Sequence, residues 1–341
     1  MQSFHLSLSK PIINGYLHHA FPLSIMPNHR YFNNWFYSNY IQLFSAKDYS
    51  DLACPLNFYL YQDYNNYSLL EIGKINRELV ESITDIDRFI VNALNKGYYI
   101  ITFINDFFIP TRDSYQKKSG THDILINGYD HFEGTLTASS YINKKFTQFP
   151  IKKSNFIDAY TYNNYAFYDY AHEVLLLKPN HTIQYPLNYE LIIQLLDDYL
   201  SSTNSFRSSF FPTHDKLAFG LDVYKYLIND LVKVQNGSKG GVDIRPLHLV
   251  WEHKKVMLAR ICFFLEKGYI NNSEYATDYA DIEQSAKYLR LLMFKYSATR
   301  SYETITTIVE RLHKMQNDEY SILSKLLSEL KLTFSHSSGR L

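Results

Sequence analysis

Cysteine is nearly absent from this chain. Cys54 and Cys262 are the two thiols in 341 residues, too few for a disulfide framework. An excess of either charge is absent as well, because Lys+Arg and Asp+Glu are both 34. Nucleic-acid binders carry a basic excess or stripe, so that class of partner is not expected. Long apolar runs are missing too; none approaches the roughly 18 residues of a membrane span. The start, MQSFHLSLSKPIING, lacks the basic segment and apolar core of a secretory signal. These absences point to a cytoplasmic protein with neither a nucleic-acid nor a membrane partner.

What is present is a large supply of core-forming side chains. Hydrophobic residues make up 46%, enough to build a sizeable core in a chain of two-domain length. Tyr (31) and Phe (23) far outnumber Trp (2). Tyrosine is plentiful together with Asn, Ile and Lys, which reads as compositional bias. A tyrosine still suits a pocket wall, since its ring packs while its hydroxyl bonds.

The chain changes character near residue 185. An early helix is predicted over Asn33–Ala46, where Phe36, Tyr40 and Phe44 recur at i, i+4, i+8. A strand follows over Leu56–Tyr61. A second helix begins after Thr84 as N-cap, carries Ile86, Phe89, Ile90 and Leu94 on one face, and stops at Gly97. Tyr98–Asn105 reads as a buried strand by its β-branched and aromatic content. A meander is predicted next: Asp123–Gly128, a turn bracketed by Gly128 and Gly134, then Thr135–Tyr141 and Phe146–Ile151, with a further strand over His172–Pro179. Beyond it the pattern is helical. Amphipathic segments cover Asn188–Ser202, Leu221–Val234, Pro246–Lys267, Asp281–Tyr296 and a stretch opened by Ser301, which Tyr320–Leu330 continues.

Several chemical signals are weak. NGSKGG (Asn236–Gly241) lacks the spacing of a phosphate loop and follows no strand, so a helix–helix loop is expected. His248 and His253 are five apart, whereas two ligands on one helical face sit at i, i+4; no metal is expected there. His18 and His19 have no carboxylate or thiol partner evident in the sequence. Asp106, in INDFFIP, ends a buried strand. There a side chain can face a cleft and meet substrate, or simply cap a turn before Pro110.

The strongest signal is SGTHDILINGYD, Ser119–Asp130. It sets His122 at the entrance of an alternating strand. Enzymes that use a thiol place a histidine of this kind against a helix N-terminus carrying the cysteine, whose pKa falls under the helix dipole and the imidazole. A carboxylate or amide holds the other ring nitrogen.

With an upstream helix and a following meander, THDILINGYD resembles the papain-like cysteine enzymes. It is similar above all to the butirosin-biosynthesis acyltransferase family and its relatives in nonribosomal-peptide gene clusters. The resemblance spans about residues 20 to 180. It implies an α+β, papain-like domain with an antiparallel sheet over residues 1–185, then an all-helical domain over 186–333, then a tail over 334–341. It also implies acyl transfer or amide formation on thioesters of an acyl or peptidyl carrier protein, with no cofactor beyond the phosphopantetheine arm that enters as substrate. Two departures stand out. Where the family opens its first helix with cysteine, this chain has Asn33, Asn34 and Trp35, with Tyr37 and Ser38 just inside. Asn34 is nearest the missing thiol, and Trp35, Tyr37, Ser38 and Asp106 become candidate substrate contacts. Where the family has an acid on the strand after the turn, TASSY supplies Ser139.

Three functions follow as expectations. The first is a natural-product biosynthesis protein in which His122 takes a proton from a substrate amine as it attacks a carrier-bound thioester. The second is a catalytically silent relative that binds a carrier protein or peptide. The third is a cysteine peptidase through Cys54, with Pro55 at the first position of a helix.

Overall fold

A computed structural model describes residues 3–62, 64–162, 169–205, 214–239 and 241–338. In chain order the regular elements are β1 (Phe4–His5), α1 (Leu17–Ile25), α2 (Phe32–Asn39), β2 (Leu43–Ala46), β3 (Leu56–Phe58), β4 (Leu70–Asn76), α3 (Arg77–Ile83), α4 (Ile86–Asn95), β5 (Tyr99–Asn105), β6 (Thr121–Asp130), β7 (Thr135–Ile142), β8 (Lys145–Lys152), α5 (Lys153–Thr161) and β9 (Glu173–Pro179). Then come α6 (Tyr189–Leu200), β10 (Leu217–Phe219), α7 (Val223–Gln235), α8 (Arg245–Glu266), α9 (Glu274–Thr299) and α10 (Tyr302–Ser338). The fold is mixed α/β, with antiparallel sheets and a helical C-terminal region.

The chain divides into two compact units. One joins Met1–Phe32 to Tyr64–Gln184; the other joins Asn33–Asp63 to Tyr185–Leu341. The break at 184/185 falls where the sequence changes character. The segment from Asn33 to Asp63, expected in the N-terminal half, belongs instead with the C-terminal helices. The reason is β-pairing: β2 bonds to β3 on one side and to β10 on the other. The strand β10 is a three-residue element with no legible period of its own. It also splits the predicted early helix. α2 ends at Asn39, and Leu43–Ala46 is fully buried strand; the i, i+4, i+8 aromatics fit a helix only until tertiary pairing claims the last of them.

In the first unit a twisted antiparallel sheet runs in the order β4-β9-β5-β6-β7-β8, with β1 beside the far end of β6. Ile100, Ile104, Ile124, Ile126, Leu136 and Val174 form its buried face under α4 and α5. The helix α4 does stop where predicted, with Gly97 at φ +83° just past its last turn. Its N-cap is Asp85, and Thr84 instead closes the C-terminus of α3. The meander turn is shorter than expected. β6 continues through Gly128 to Asp130, and Gly128 sits at a bulge where a Cβ would come within 2.8 Å of the Phe4 carbonyl. Close approach of β1, not a turn, therefore accounts for that glycine.

In the second unit Arg260, fully buried, donates to the carbonyls of Tyr37 (2.8 Å) and Tyr40 (2.6 Å) and so closes the C-terminal end of α2. Five helices meet at one ion pair. Lys254 of α8 donates to both carboxylate oxygens of Glu319 of α10, at 2.8 Å each. The hydroxyls of Tyr199 (α6), Tyr224 (α7) and Tyr279 (α9) donate to the same carboxylate at 3.0, 2.9 and 2.5 Å. Burial raises the pKa of all three phenols, which keeps them protonated as donors. α10 absorbs both the fifth helical segment and its continuation, and it runs on to Ser338 through most of the expected tail; 339–341 lie outside the described residues.

Candidate functional site

The site is built at the open ends of β5 and β6. Their register sets Ile104 opposite His122 and Asn105 opposite Thr121. The chain leaves β5 through a single turn of 3-10 helix at Asp106–Phe108, capped by the Asn105 side chain, which accepts from the Phe107 amide at 3.1 Å. Asn105 also donates to Ser119 Oγ (2.9 Å), while the Asp106 amide donates to the Gly120 carbonyl (2.9 Å). The SGTHD and IND stretches are thereby clamped together, and the Asp106 carboxylate is delivered to the His122 ring. Nδ1 of His122 lies 2.8 Å from Asp106 Oδ2. A carboxylate only accepts, so Nδ1 carries the proton and Nε2 of the neutral ring keeps its lone pair.

Electrostatics follow from this geometry. The His122 side chain is 58% exposed and that of Asp106 is 7% exposed. The hydrogen bond that His122 donates to Asp106 raises the His122 pKa, against an opposing effect of desolvation. Arg112 fixes the acid from its other side, with Nε 3.2 Å from Asp106 Oδ1. That approach is too bent for a hydrogen bond, so Oδ1 retains acceptor capacity. The guanidinium is itself held by Ser140 Oγ at 2.6 Å and by the Tyr141 carbonyl. Asp123, the next residue on β6, is pushed up to about 6 because its carboxylate is ringed by protein atoms. Beside Asp106 opens a hollow of about 200 Å³, walled by Arg112, Asp113, Tyr141, Asn143 and Lys144.

Asp106 and His122, two residues singled out by the sequence, are thus brought together. Ser139 is not part of the pair. It lies on β7 opposite Leu125, buried, its hydroxyl without a hydrogen-bond partner. The residue that holds the imidazole precedes it, in the turn just after β5, instead of following it on β7. Arg112 was missed, since a lone arginine in a loop has no periodic signature; its only sequence hint is a place between Asp106 and the strand that carries His122.

The remaining candidates belong to the other unit. Ser38 is buried, donating to the Asn34 carbonyl (2.7 Å) and accepting from the Asn188 amide (3.0 Å), so its hydroxyl serves the fold. Asn34 donates to the Tyr185 carbonyl at 3.2 Å. Trp35 is core, edge-on to Tyr40, and Tyr37 packs on Phe263. Cys54 lies in a bend leading into β3, so Pro55 opens no helix there. His253 is sealed, bonded to the Ile41 carbonyl at 2.8 Å and held far below its ordinary pKa by burial and Lys254. His248 pairs with Glu252 at 3.3 Å. Lys239 of the NGSKGG loop is bound to Asp230 at 2.7 Å. A larger groove of about 490 Å³ between α9 and α10 is lined by Asp278, Asp281 and Asp318 and by Arg311, Lys314 and Lys325, with neither histidine nor thiol among the described lining residues.

Among the described residues no group of three or more His, Cys, Asp and Glu is arranged to hold a metal ion, and no helix is long and apolar enough to cross a membrane. The fold and site together define a mixed α/β protein with a surface-accessible His–Asp pair backed by a partly buried arginine. No protein-family model matches the chain, and no curated protein matches it.

Proposed function

We propose that the first unit is a papain-like domain whose His122–Asp106 pair acts as a general base in acyl transfer, on thioesters presented by the phosphopantetheine arm of a carrier protein in natural-product biosynthesis. The observation that carries this reading is the 2.8 Å contact between Nδ1 of an exposed imidazole and a buried carboxylate. The contact leaves Nε2 open to a reacting group. A substrate amine attacks the thioester carbonyl, and Nε2 takes the proton that the amine loses. The thiolate leaves as the C–S bond breaks and recovers a proton from the imidazolium. Asp106 stabilises that cation, and Arg112 keeps the carboxylate aimed. No protein thiol is needed, which suits a unit without cysteine among its described residues.

The test uses the full chain, a small acyl-pantetheine thioester and a primary amine. His122→Ala is expected to lower amide formation by about 10²–10⁴, while Cys54→Ala leaves it unchanged. The rate should rise with pH as the imidazolium, its pKa raised by Asp106, gives up its proton. Undiminished turnover in His122→Ala would sink the reading. A second reading, a catalytically silent relative that binds a carrier protein or peptide, is favoured at the start of α2, where the resembled family has its nucleophile: Asn34 stands there bonded to the Tyr185 carbonyl, and the nearest hydroxyl, Ser38, is committed to the fold near the other end of the helix. Binding of a carrier protein with no turnover under any of these conditions would select it.

A further inference from the structure

We propose that the second half of α9 presents a docking face for an acidic amphipathic helix of a partner protein. Tyr288, Leu291 and Phe294 are 44%, 52% and 42% exposed. At 100° per residue they fall on one side of the helix together with Lys287, Arg290 and Lys295, while Leu289, Leu292, Met293 and Tyr296 point inward and are buried. Large apolar side chains scattered singly are ordinary on a surface; three on adjoining turns of one face make a patch.

Along this part of α9 the charge has one sign. From Gln284 to Tyr302 the chain holds Lys287, Arg290, Lys295 and Arg300 and no Asp or Glu. Arg311 of α10 adds a fifth cation, its guanidinium 4.8 Å from the Tyr288 ring centre, and the half-buried Arg290 lies 4.9 Å from the ring centre of Trp251 on α8 and 5.5 Å from that of Phe294. Among the described residues none of these five cations makes an ion pair, although surface lysines elsewhere, such as Lys314 and Lys331, do. The helix dipole accounts for cations near the C-terminus of α9 but not for the apolar side chains among them. The complement of an apolar strip bordered by unpaired cations is an apolar strip bordered by carboxylates, which is one face of an acidic helix. Lys287 to Ala298 spans about 18 Å, room for roughly three turns of such a partner.

A polyanion or a lipid surface fits less well. Either would extend beyond the patch and meet the exposed acids just past its two ends, Asp281 and Glu303. The proposal stands apart from the chemistry at His122, and either can fail alone.

The test measures binding of the full chain to a stapled helical peptide of about 18 residues, with leucines on one face and glutamates on the other. The comparison probes are a scrambled peptide of equal composition, single-stranded poly-U RNA and phosphatidylglycerol vesicles. The amphipathic peptide should bind, bind more weakly as salt rises, and bind at least about tenfold more tightly than the scrambled one. Leu291→Asp, and separately Lys287→Glu with Lys295→Glu, should each cost at least about tenfold in affinity, a magnitude typical of losing an interface anchor. All these positions are exposed, so unchanged circular dichroism is expected in both variants. No binding, equal binding of the scrambled peptide, or indifference to both variants overturns the proposal. It is equally overturned if RNA or vesicles bind more tightly than the peptide and lose that binding in the same variants.

Discussion

Each unit holds a cluster made of an imidazole, a carboxylate and a basic side chain, and the two clusters have opposite relations to water. In the first unit His122 stands 58% exposed over Asp106, with Arg112 behind. In the second, Lys254 and Glu319 are wholly buried, with His253 and three tyrosines closing every approach. Solvent access decides what each can do. An exposed imidazole with one nitrogen anchored can exchange protons with a substrate, whereas a sealed ion pair can only tie helices together. Its effect is on specificity and stability, because a buried charge left without its partner is costly. The sealed cluster has the more perturbed groups, with His253 far below and the phenols well above their ordinary values. Perturbation alone would therefore point to the wrong cluster; reachability by substrate corrects that choice.

The contrast can be broken at three places. The largest effect is expected in the sealed cluster. Glu319→Gln leaves Lys254 charged without a carboxylate and should cost about 3–5 kcal/mol of stability, read from urea unfolding, with the His122 titration unmoved. A smaller effect is expected at Asp123. Its carboxyl is raised to about 6 in the folded chain, so between about pH 4 and 6 the folded state binds more protons than the unfolded state and stability falls as pH rises. Asp123→Asn should flatten that slope. At pH 7 it should gain at most about 3 kcal/mol by linkage, and less in practice because Asp123 is partly exposed. A pH-stability profile that keeps its slope in the variant would refute this assignment. The smallest effect on stability, but the sharpest on chemistry, is Asp106→Asn. With the carboxylate gone, the His122 pKa should fall, which NMR titration of its Cε1 proton reads directly. An unchanged pKa would mean that Asp106 does not govern the imidazole.

Much of this was legible in particular residues. The β-branched run before Asn105 and the alternation after His122 marked the two strands whose register brings His122 and Asp106 together. Gly97 marked the end of α4. Both depend on local preference, which a sequence carries openly. What misled were features whose cause is distant in the chain. Ser139 looked like the partner of His122 by position along a family pattern, yet its place on β7 is set by pairing with Leu125. Ser38 looked like a spare hydroxyl, yet the amide of Asn188 claims it. Gly128 looked like a turn residue, yet the backbone of Phe4 requires it. His248 and His253 looked alike, yet one is partly exposed beside Glu252 and the other lies sealed against Lys254.

Periodicity and turn chemistry, which act within a few residues, marked β5 to β9, the amphipathic helices α4 and α6 to α10, the change of character near residue 185 and the position of His122. Only the tertiary structure decided that Asn33–Asp63 joins the C-terminal helices, that Asp106 and Arg112 hold the imidazole, and that Lys254 meets Glu319 with three tyrosines around them. Those arrangements join residues up to 223 positions apart, as in the Arg260–Tyr37 contact. Their free energy comes from burying apolar surface and satisfying buried polar groups together, and no local pattern encodes that sum.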